Sequence, residues 1–168
     1  MSIDHNKMDM VSRSAFKPIY PVVVRQIMDK VPFTGGICAD IGAGPASLAI
    51  EMAKISDFNI LALDISREMS AIAARNIGAE SLSGRITPIR GDVGFLPFDD
   101  CRIDLIISRG SMIFWKDKEK AFSEIYRVLR HGGYAYVGGG YGTPELKQRI
   151  VREYGNVDGY VRNTGRKK

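Results

Sequence analysis

Apolar residues recur along the chain in two alternating registers. Short runs dominated by apolar residues, "ICADI" (37–41), "NILALD" (59–64), "IDLIIS" (103–108) and "YAYVGG" (134–139), are separated by stretches with helical spacing. Runs of this kind predict strands buried on both faces, as in a parallel sheet. Between them "PASLAIEMAK" (45–54), "SREMSAIAARNIG" (66–78), "DKEKAFSEIYRVLRHGG" (117–133) and "PELKQRIVREYG" (144–155) predict helices. Pro45 suits a first helical turn, Ser66 and Asp117 suit N-caps, and Gly78 suits a C-terminal stop. Phe122, Ile125, Tyr126 and Leu129 fall on one face of the third helix and are expected to pack inward. "RITPIR" (85–90) reads as a strand, and Pro88 assigns it to a sheet edge. Near the start, Val23, Val24, Ile27 and Met28 share one helical face, and "VPFTGG" ends that helix.

Strands alternating with helices imply right-handed crossovers. The expected fold is therefore α/β: a Rossmann-like, doubly wound, mostly parallel sheet in three layers. One domain is expected over residues 1–154, with 1–34 as an N-terminal cap helix region. A polar, basic, poorly ordered tail is expected over 155–168.

Composition narrows the class. The chain has 168 residues, 45% hydrophobic and 26% charged, as expected of one globular domain. No apolar run approaches the roughly 20 residues of a membrane span. The first residues, "MSIDHNKMDMVSRSAF", hold no apolar signal segment, so a cytoplasmic location is expected. Cys38 and Cys101 lie in or beside apolar stretches and are expected to be buried, reduced thiols. Two cysteines and two histidines (His5, His131) without ligand spacing predict no metal site. The net charge is +5, but Arg162, Arg166, Lys167 and Lys168 sit in the last seven residues. The body is near neutral and shows no basic stripe, which speaks against a nucleic-acid partner.

The candidate chemistry begins at "ICADIGAGPASL" (37–48). In a doubly wound sheet a ligand sits at the carboxyl ends of the strands. Gly42 permits a tight turn there, and Gly44 lets backbone approach a ligand. The next helix aims its N–H groups at the same place. A Walker A loop is excluded, because no Gly-Lys-Ser/Thr follows. The dinucleotide pattern G-x-G-x-x-G has Ser47 at its third glycine and is incomplete. Asp40 opposes a pyrophosphate, whereas a cationic ligand suits it. Asp64 ends the second strand, where an acid can accept hydrogen bonds from ribose hydroxyls. Asp92 follows the third strand.

Taken in order, Asp40-x-Gly42-x-Gly44-x-Ala46, the strand-end Asp64, "GDVGFLPF" (91–98) and "EIYRVLRHGG" (124–133) resemble the class I S-adenosylmethionine-dependent methyltransferases. They look most like the methyltransferase type 11 and ubiquinone/menaquinone biosynthesis branch. The resemblance covers about Ile37 to Gly140. Ala46 stands where a third glycine is usual, and His131 where proline is usual. The resemblance implies S-adenosyl-L-methionine as cofactor. Its contacts would come from Asp40, Gly42, Ala43, Gly44, Asp64, Ile65, Asp92, Val93 and Arg109. Asp92 would face the adenine amino group. Val93 would wall the ring or pack the core, and Phe95, Leu96 and Phe98 are expected in the core. Arg109 would neutralise the cofactor carboxylate or bind an acidic substrate, or serve as a structural arginine.

The resemblance implies methyl transfer and names no catalytic residue. "SRGSMIFW" (108–115) replaces the N/D-P-P-Y/F motif of amino-group methylation, which points to a small-molecule acceptor. Tyr20, Met112, Phe114 and Trp115 are candidates to line the acceptor pocket, or to pack under neighbouring elements. Phe16 and Tyr20 resemble the segment that caps the cofactor in relatives, and could equally staple the first helix. Family members usually add two strands after the fifth. A chain short of them is expected to lack the last two strands. That would leave the fifth strand as an edge open to a homo- or hetero-oligomer. The alternative reading is a cofactor-binding module or partner subunit without its own catalysis.

Overall fold

A computed structural model describes residues 4–155. The elements run α1 (His5–Arg13), α2 (Ile19–Met28), β1 (Gly35–Ile41), α3 (Ser47–Ile55), β2 (Asp57–Asp64) and α4 (Arg67–Ala79). Then follow β3 (Ile86–Arg90), β4 (Ile103–Arg109), α5 (Lys118–Val128), β5 (Leu129–Gly138) and α6 (Pro144–Tyr154). A single 3-10 turn, Met112–Phe114, lies between β4 and α5.

The five strands form one sheet in the order β3-β2-β1-β4-β5. All pairings are parallel. β3 takes one edge, as Pro88 requires, and β5 takes the other. Alternate strand residues face opposite layers. Cys38, Phe58, Ile60, Leu105 and Ile107 pack with α2, α3, α4 and Ile150 of α6. Ala39, Ile41, Ile103 and Ile106 face α5 and Trp115. The α/β three-layer architecture is thus the expected one. Each fully buried isoleucine contributes about 1.5–3 kcal/mol of hydrophobic stabilisation, and Ile19, Ile27, Ile41, Ile60, Ile103 and Ile106 are all buried to within 1%.

The caps at Ser66 and Asp117 form as expected. Ser66 Oγ accepts the Met69 N–H and Asp117 Oδ1 accepts the Lys120 N–H. Several local expectations need correction. α3 starts at Ser47, one residue past a left-handed Ala46 (φ 65), so Pro45 precedes the helix rather than opening it. Gly78 lies inside α4, and the left-handed residue after that helix is Ser81 (φ 59). α5 buries Ala121, Ile125 and Val128. Phe122 and Tyr126 are exposed, at 44% and 83%. The face that packs on the sheet is Ala121-Ile125-Val128, which leaves the two aromatic residues on the outer side. The same helix stops at Val128, and Leu129 already pairs with Ile103. The ladder register shifts before Leu105↔Tyr134, where Gly132 is left-handed (φ 74). Cys38 is buried, but Cys101 is exposed in a left-handed turn (φ 54). Phe95 is also exposed, with the Lys120 ammonium 3.2 Å from its ring centroid, while Leu96 is buried.

The N-terminal polar stretch folds as α1, which the apolar pattern did not predict. Asp4 caps it by accepting the Lys7 N–H at 3.0 Å. The tail expected from residue 155 lies, beyond Gly155, outside the described residues.

Candidate active site

The chain reverses its sheet direction at β1. From there β2 and β3 build to one side, and β4 and β5 to the other. The crevice at such a switch point is where ligands bind in open α/β sheets. A cavity of about 660 Å³ opens there.

Its floor is the loop after β1. The N–H groups of Gly42 and Ala43 both donate to the Leu63 carbonyl, at 2.8 and 2.9 Å, which sews the loop to β2. Gly42 is left-handed (φ +69), and a Cβ there would lie 2.6 Å from Ser111 Oγ. Gly44 is also left-handed (φ +54) and its N–H donates to Asp64 Oδ2 at 2.9 Å. The other carboxylate oxygen of Asp64 accepts the Ser66 N–H at 2.9 Å. Asp64 thus fastens the loop to α4 while lining the cavity.

Asp40 lies beneath the loop and is 1% exposed. Burial pushes its carboxyl up to about 7; the Ala49 N–H opposes that rise and the Asp64 charge adds to it. Its Oδ2 is fully buried and has no hydrogen-bond partner, and Asp40 is among the residues that border the cavity. A buried carboxylate oxygen without a partner is costly unless something supplies a donor.

On the β3 side, Asp92 Oδ1 accepts the Gly94 N–H at 2.8 Å and closes a tight turn. Asp92, Val93 and Ile65 line the cavity. The segment that follows, before β4, is clamped from α5. Leu96 N–H donates to Glu124 Oε2 at 2.8 Å. Arg127 donates to the carbonyls of Leu96 and Phe98 and to Asp100 Oδ1. The Glu124–Arg127 pair within "EIYRV" therefore fixes the position of the Asp92 turn.

On the β4 side, Ser108 Oγ and Ser111 Oγ lie 2.7 and 3.1 Å from the Ile41 carbonyl and 2.6 Å from each other, so the two hydroxyls and the carbonyl form one hydrogen-bonded cluster. Ser111 Oγ also accepts the indole N–H of Trp115 at 3.1 Å, which pins that ring against the cavity. Arg109 lines the cavity too. Its Nη2 donates to the Gly140 carbonyl at 2.6 Å, and its guanidinium lies 5.0 and 5.4 Å from the ring centroids of Phe16 and Tyr20. Tyr20 lines the cavity and its hydroxyl meets Ser12 Oγ at 2.6 Å. Burial raises the Tyr20 pKa, so its phenol stays protonated near neutral pH. Met112 packs into the second core layer and does not line the cavity; Phe114 does line it.

Of the cap expected over residues 1–34, sequence reasoning named only Phe16 and Tyr20. His5, Met8 and Ser12 of α1 line the cavity, as do Gly139, Gly140 and Tyr141 after β5. α1 is held by its own buried acid: Asn76 Nδ2 donates to Asp9 Oδ1 at 2.8 Å and to the Pro45 carbonyl at 3.1 Å. Arg75 adds an ion pair to Asp9 at 2.5 Å. The sequence signal for α1 is weak: Met8 and Val11 are its apolar pair at helical spacing, and the helix ends at Arg13. No cluster of His, Cys, Asp or Glu among the described residues could hold a metal ion.

One end of this cavity offers carboxylates and bare loop backbone; the other offers aromatic and apolar side chains. Such a site suits a ligand with a ribose-like diol and a cationic group, with room for a second, apolar molecule beside it.

Comparison with known proteins agrees with that reading. Residues 39–137 match the family model described as "Methyltransferase domain". The demethylmenaquinone methyltransferase of Bacteroides fragilis is 30% identical over 125 residues, 74% of this chain and 47% of that protein. The 2-methyl-6-phytyl-1,4-hydroquinone methyltransferase 2 of rice is 34% identical over 97 residues, 57% of this chain and 27% of that protein. The chain thus spans about half or less of the curated relatives it matches. A crystal structure from Methanococcus maripaludis, described as a candidate S-adenosyl-L-methionine-dependent methyltransferase, superposes with a TM-score of 0.88. It is 44% identical, over 93% of this chain and 73% of that one. The chain belongs to the methyltransferase domain family.

Proposed function

We propose that the protein binds S-adenosyl-L-methionine in the β1–β2–β3 half of the cavity and methylates a small-molecule acceptor in the other half. The observation that carries this reading is the unpartnered, buried Oδ2 of Asp40 beside an open cavity. An ammonium donor placed there satisfies it, and a pyrophosphate does not. Asp64 is assigned to the ribose hydroxyls. Its two oxygens already accept backbone N–H groups, and a carboxylate has further lone pairs for two more bonds. Gly42, Ala43 and Gly44 give close backbone approach. Ile65, Asp92 and Val93 are assigned to the adenine, the acid to its amino group. Arg109 is assigned to the cofactor carboxylate, and Tyr20, Phe114 and Trp115 to the wall of the acceptor pocket.

When bound, the cofactor supplies the electrophilic methyl group. The chain's own share is position and exclusion of water. α1 covers the cavity, Ser108 and Ser111 fix the wall between its halves, and Arg109 keeps Phe16 and Tyr20 in place. The names of the quinol-methylating relatives support a small apolar acceptor. No finding favours a module without catalysis.

Calorimetry with S-adenosylhomocysteine and with NAD tests the cofactor half. Binding of the first and not the second is expected; the reverse overturns the reading. Transfer of labelled methyl groups from S-adenosylmethionine to an extract of small metabolites tests the acceptor half. Tight cofactor binding without any transfer would overturn the enzymatic assignment.

A further inference from the structure

Ser111 stands at the N-cap of the 3-10 turn Met112–Phe114, yet its hydroxyl makes no capping bond. Serine at an N-cap ordinarily turns its oxygen to the N–H groups of the first turn. Here the backbone closes the turn instead, with the Phe114 N–H on the Ser111 carbonyl at 2.9 Å. The hydroxyl is turned the other way, into a relay. The Trp115 indole N–H donates to Ser111 Oγ at 3.1 Å, Ser111 Oγ lies 2.6 Å from Ser108 Oγ, and Ser108 Oγ donates to the Ile41 carbonyl at 2.7 Å. Each hydroxyl has one proton to give. With the Ser108 proton on Ile41, Ser111 donates to Ser108, and the chain runs in one direction from indole to carbonyl. Its own 3.1 Å approach keeps Ser111 Oγ beside the same carbonyl. Hydrogen bonds aligned in this way strengthen one another.

The receiving peptide is the one that opens the glycine loop. The Ile41 carbonyl and the Gly42 N–H belong to a single planar unit. Its N–H donates to the carbonyl of Leu63, the neighbour of Asp64, at 2.8 Å. Gly42 also leaves no space for a Cβ against the Ser111 side chain. The plane is thus gripped from β2 on one side and through Ser111 on the other, and it cannot tilt without carrying Ser111 along. At the far end of the relay stands Trp115, which lines the cavity, is 9% exposed and meets Phe122 edge-on at 5.7 Å.

We propose that Ser111 is a positioning residue that couples the two halves of the site. A cofactor seated on Gly42–Gly44 fixes the tilt of the Ile41–Gly42 peptide, and the serine relay passes that setting to the Trp115 ring before the acceptor arrives. A close-packed interior transmits small displacements because it has no voids to absorb them. The inference concerns the regulation of the proposed methyl transfer and rests on that reading for the words cofactor and acceptor. Its consequence is ordered binding: the acceptor half takes its working shape on the cofactor complex, and such coupling of affinities acts equally in both directions.

Trp115 is the chain's one tryptophan, so the isotope-labelled full chain gives one indole N–H signal in a proton–nitrogen NMR spectrum. Saturating S-adenosylhomocysteine is expected to move that signal and to slow its exchange with solvent about fivefold or more. Ser111→Ala is measured at saturating ligand too, so that any change in affinity drops out. There the ligand-induced shift is expected to fall below half of the parent's. Ser111→Cys, whose thiol is a weak donor and acceptor, takes its place if Ser111→Ala does not fold, with the same result expected. A signal that stays still in the parent while calorimetry shows the ligand bound overturns the inference. So does an undiminished shift in the variant, which would mean that the ligand touches the ring directly and Ser111 only props it. Calorimetry without binding overturns the cofactor reading, and the inference falls with it.

Discussion

Asp64 holds the Gly44 N–H at 2.9 Å across 20 residues of chain, so one side chain both shapes the glycine loop and borders the cavity. Asp64→Ala is therefore expected to act twice. It frees the loop and removes the acceptor assigned to the ribose. Loss of a charge-assisted hydrogen bond costs about 1.5–3 kcal/mol, and calorimetry with S-adenosylhomocysteine should show affinity down about 10- to 150-fold. Unchanged affinity would remove Asp64 from the site.

Asp40 makes the site sensitive to pH. Burial raises its carboxyl to about 7 in the folded chain, above the ordinary aspartate value near 4. The folded state then binds more protons than the unfolded state between those two values. Its contribution to stability is fully present below about 4 and is lost as pH rises to about 7. Cofactor binding should run the other way, because a cationic group favours the carboxylate. Affinity for S-adenosylmethionine is expected to rise as pH passes through 7. In Asp40→Asn both dependences should flatten, with cofactor affinity lower throughout; melting curves and titrations from pH 5 to 8 check the signs.

Gly42 has no room for a side chain. Gly42→Ala forces a Cβ against Ser111 in left-handed backbone. Overpacking of this kind costs about 1–3 kcal/mol, and the Ser111 bonds to Ile41 and Trp115 should break with it. Thermal unfolding should show the loss. Adding Ser111→Gly is expected to recover part of it; no recovery would mean the φ angle alone sets the cost.

Arg127→Ala should release the turn that carries Asp92. Two backbone carbonyls and Asp100 lose their donor. Hydrogen exchange is expected to speed up over residues 92–100 while β1 and β2 keep their protection. Uniform loss of protection would instead show a general fault in folding.

The strands, the glycine loop and the three acids at strand ends were legible because a parallel sheet writes its buried strands as apolar runs and places its ligand at their ends. α1 was not legible. Two of its three buried residues, Asp9 and Ser12, are polar, and their partners lie outside the helix: Tyr20 eight residues on, Ser47 and Asn76 much farther along the chain. The facing of α5 was misread for a related reason. Both Ala121-Ile125-Val128 and Phe122-Ile125-Tyr126-Leu129 satisfy a helical period, and the larger side chains drew the assignment to themselves. Met112 and Phe114 sit in a 3-10 turn, where neither period says which way a residue faces.

The end of β4 borders the cavity and is held in place through its backbone. From Ser108 to Ser111 it is main chain, pinned to the Ile41 carbonyl and continued by the Gly110–Gly138 bond. Peptide units do not hop between rotamers as side chains do. Under the proposed assignment, the distance from cofactor to acceptor across this edge is set by bond lengths and strand register, so mutation of the surrounding side chains is expected to change which acceptor fits without changing that distance.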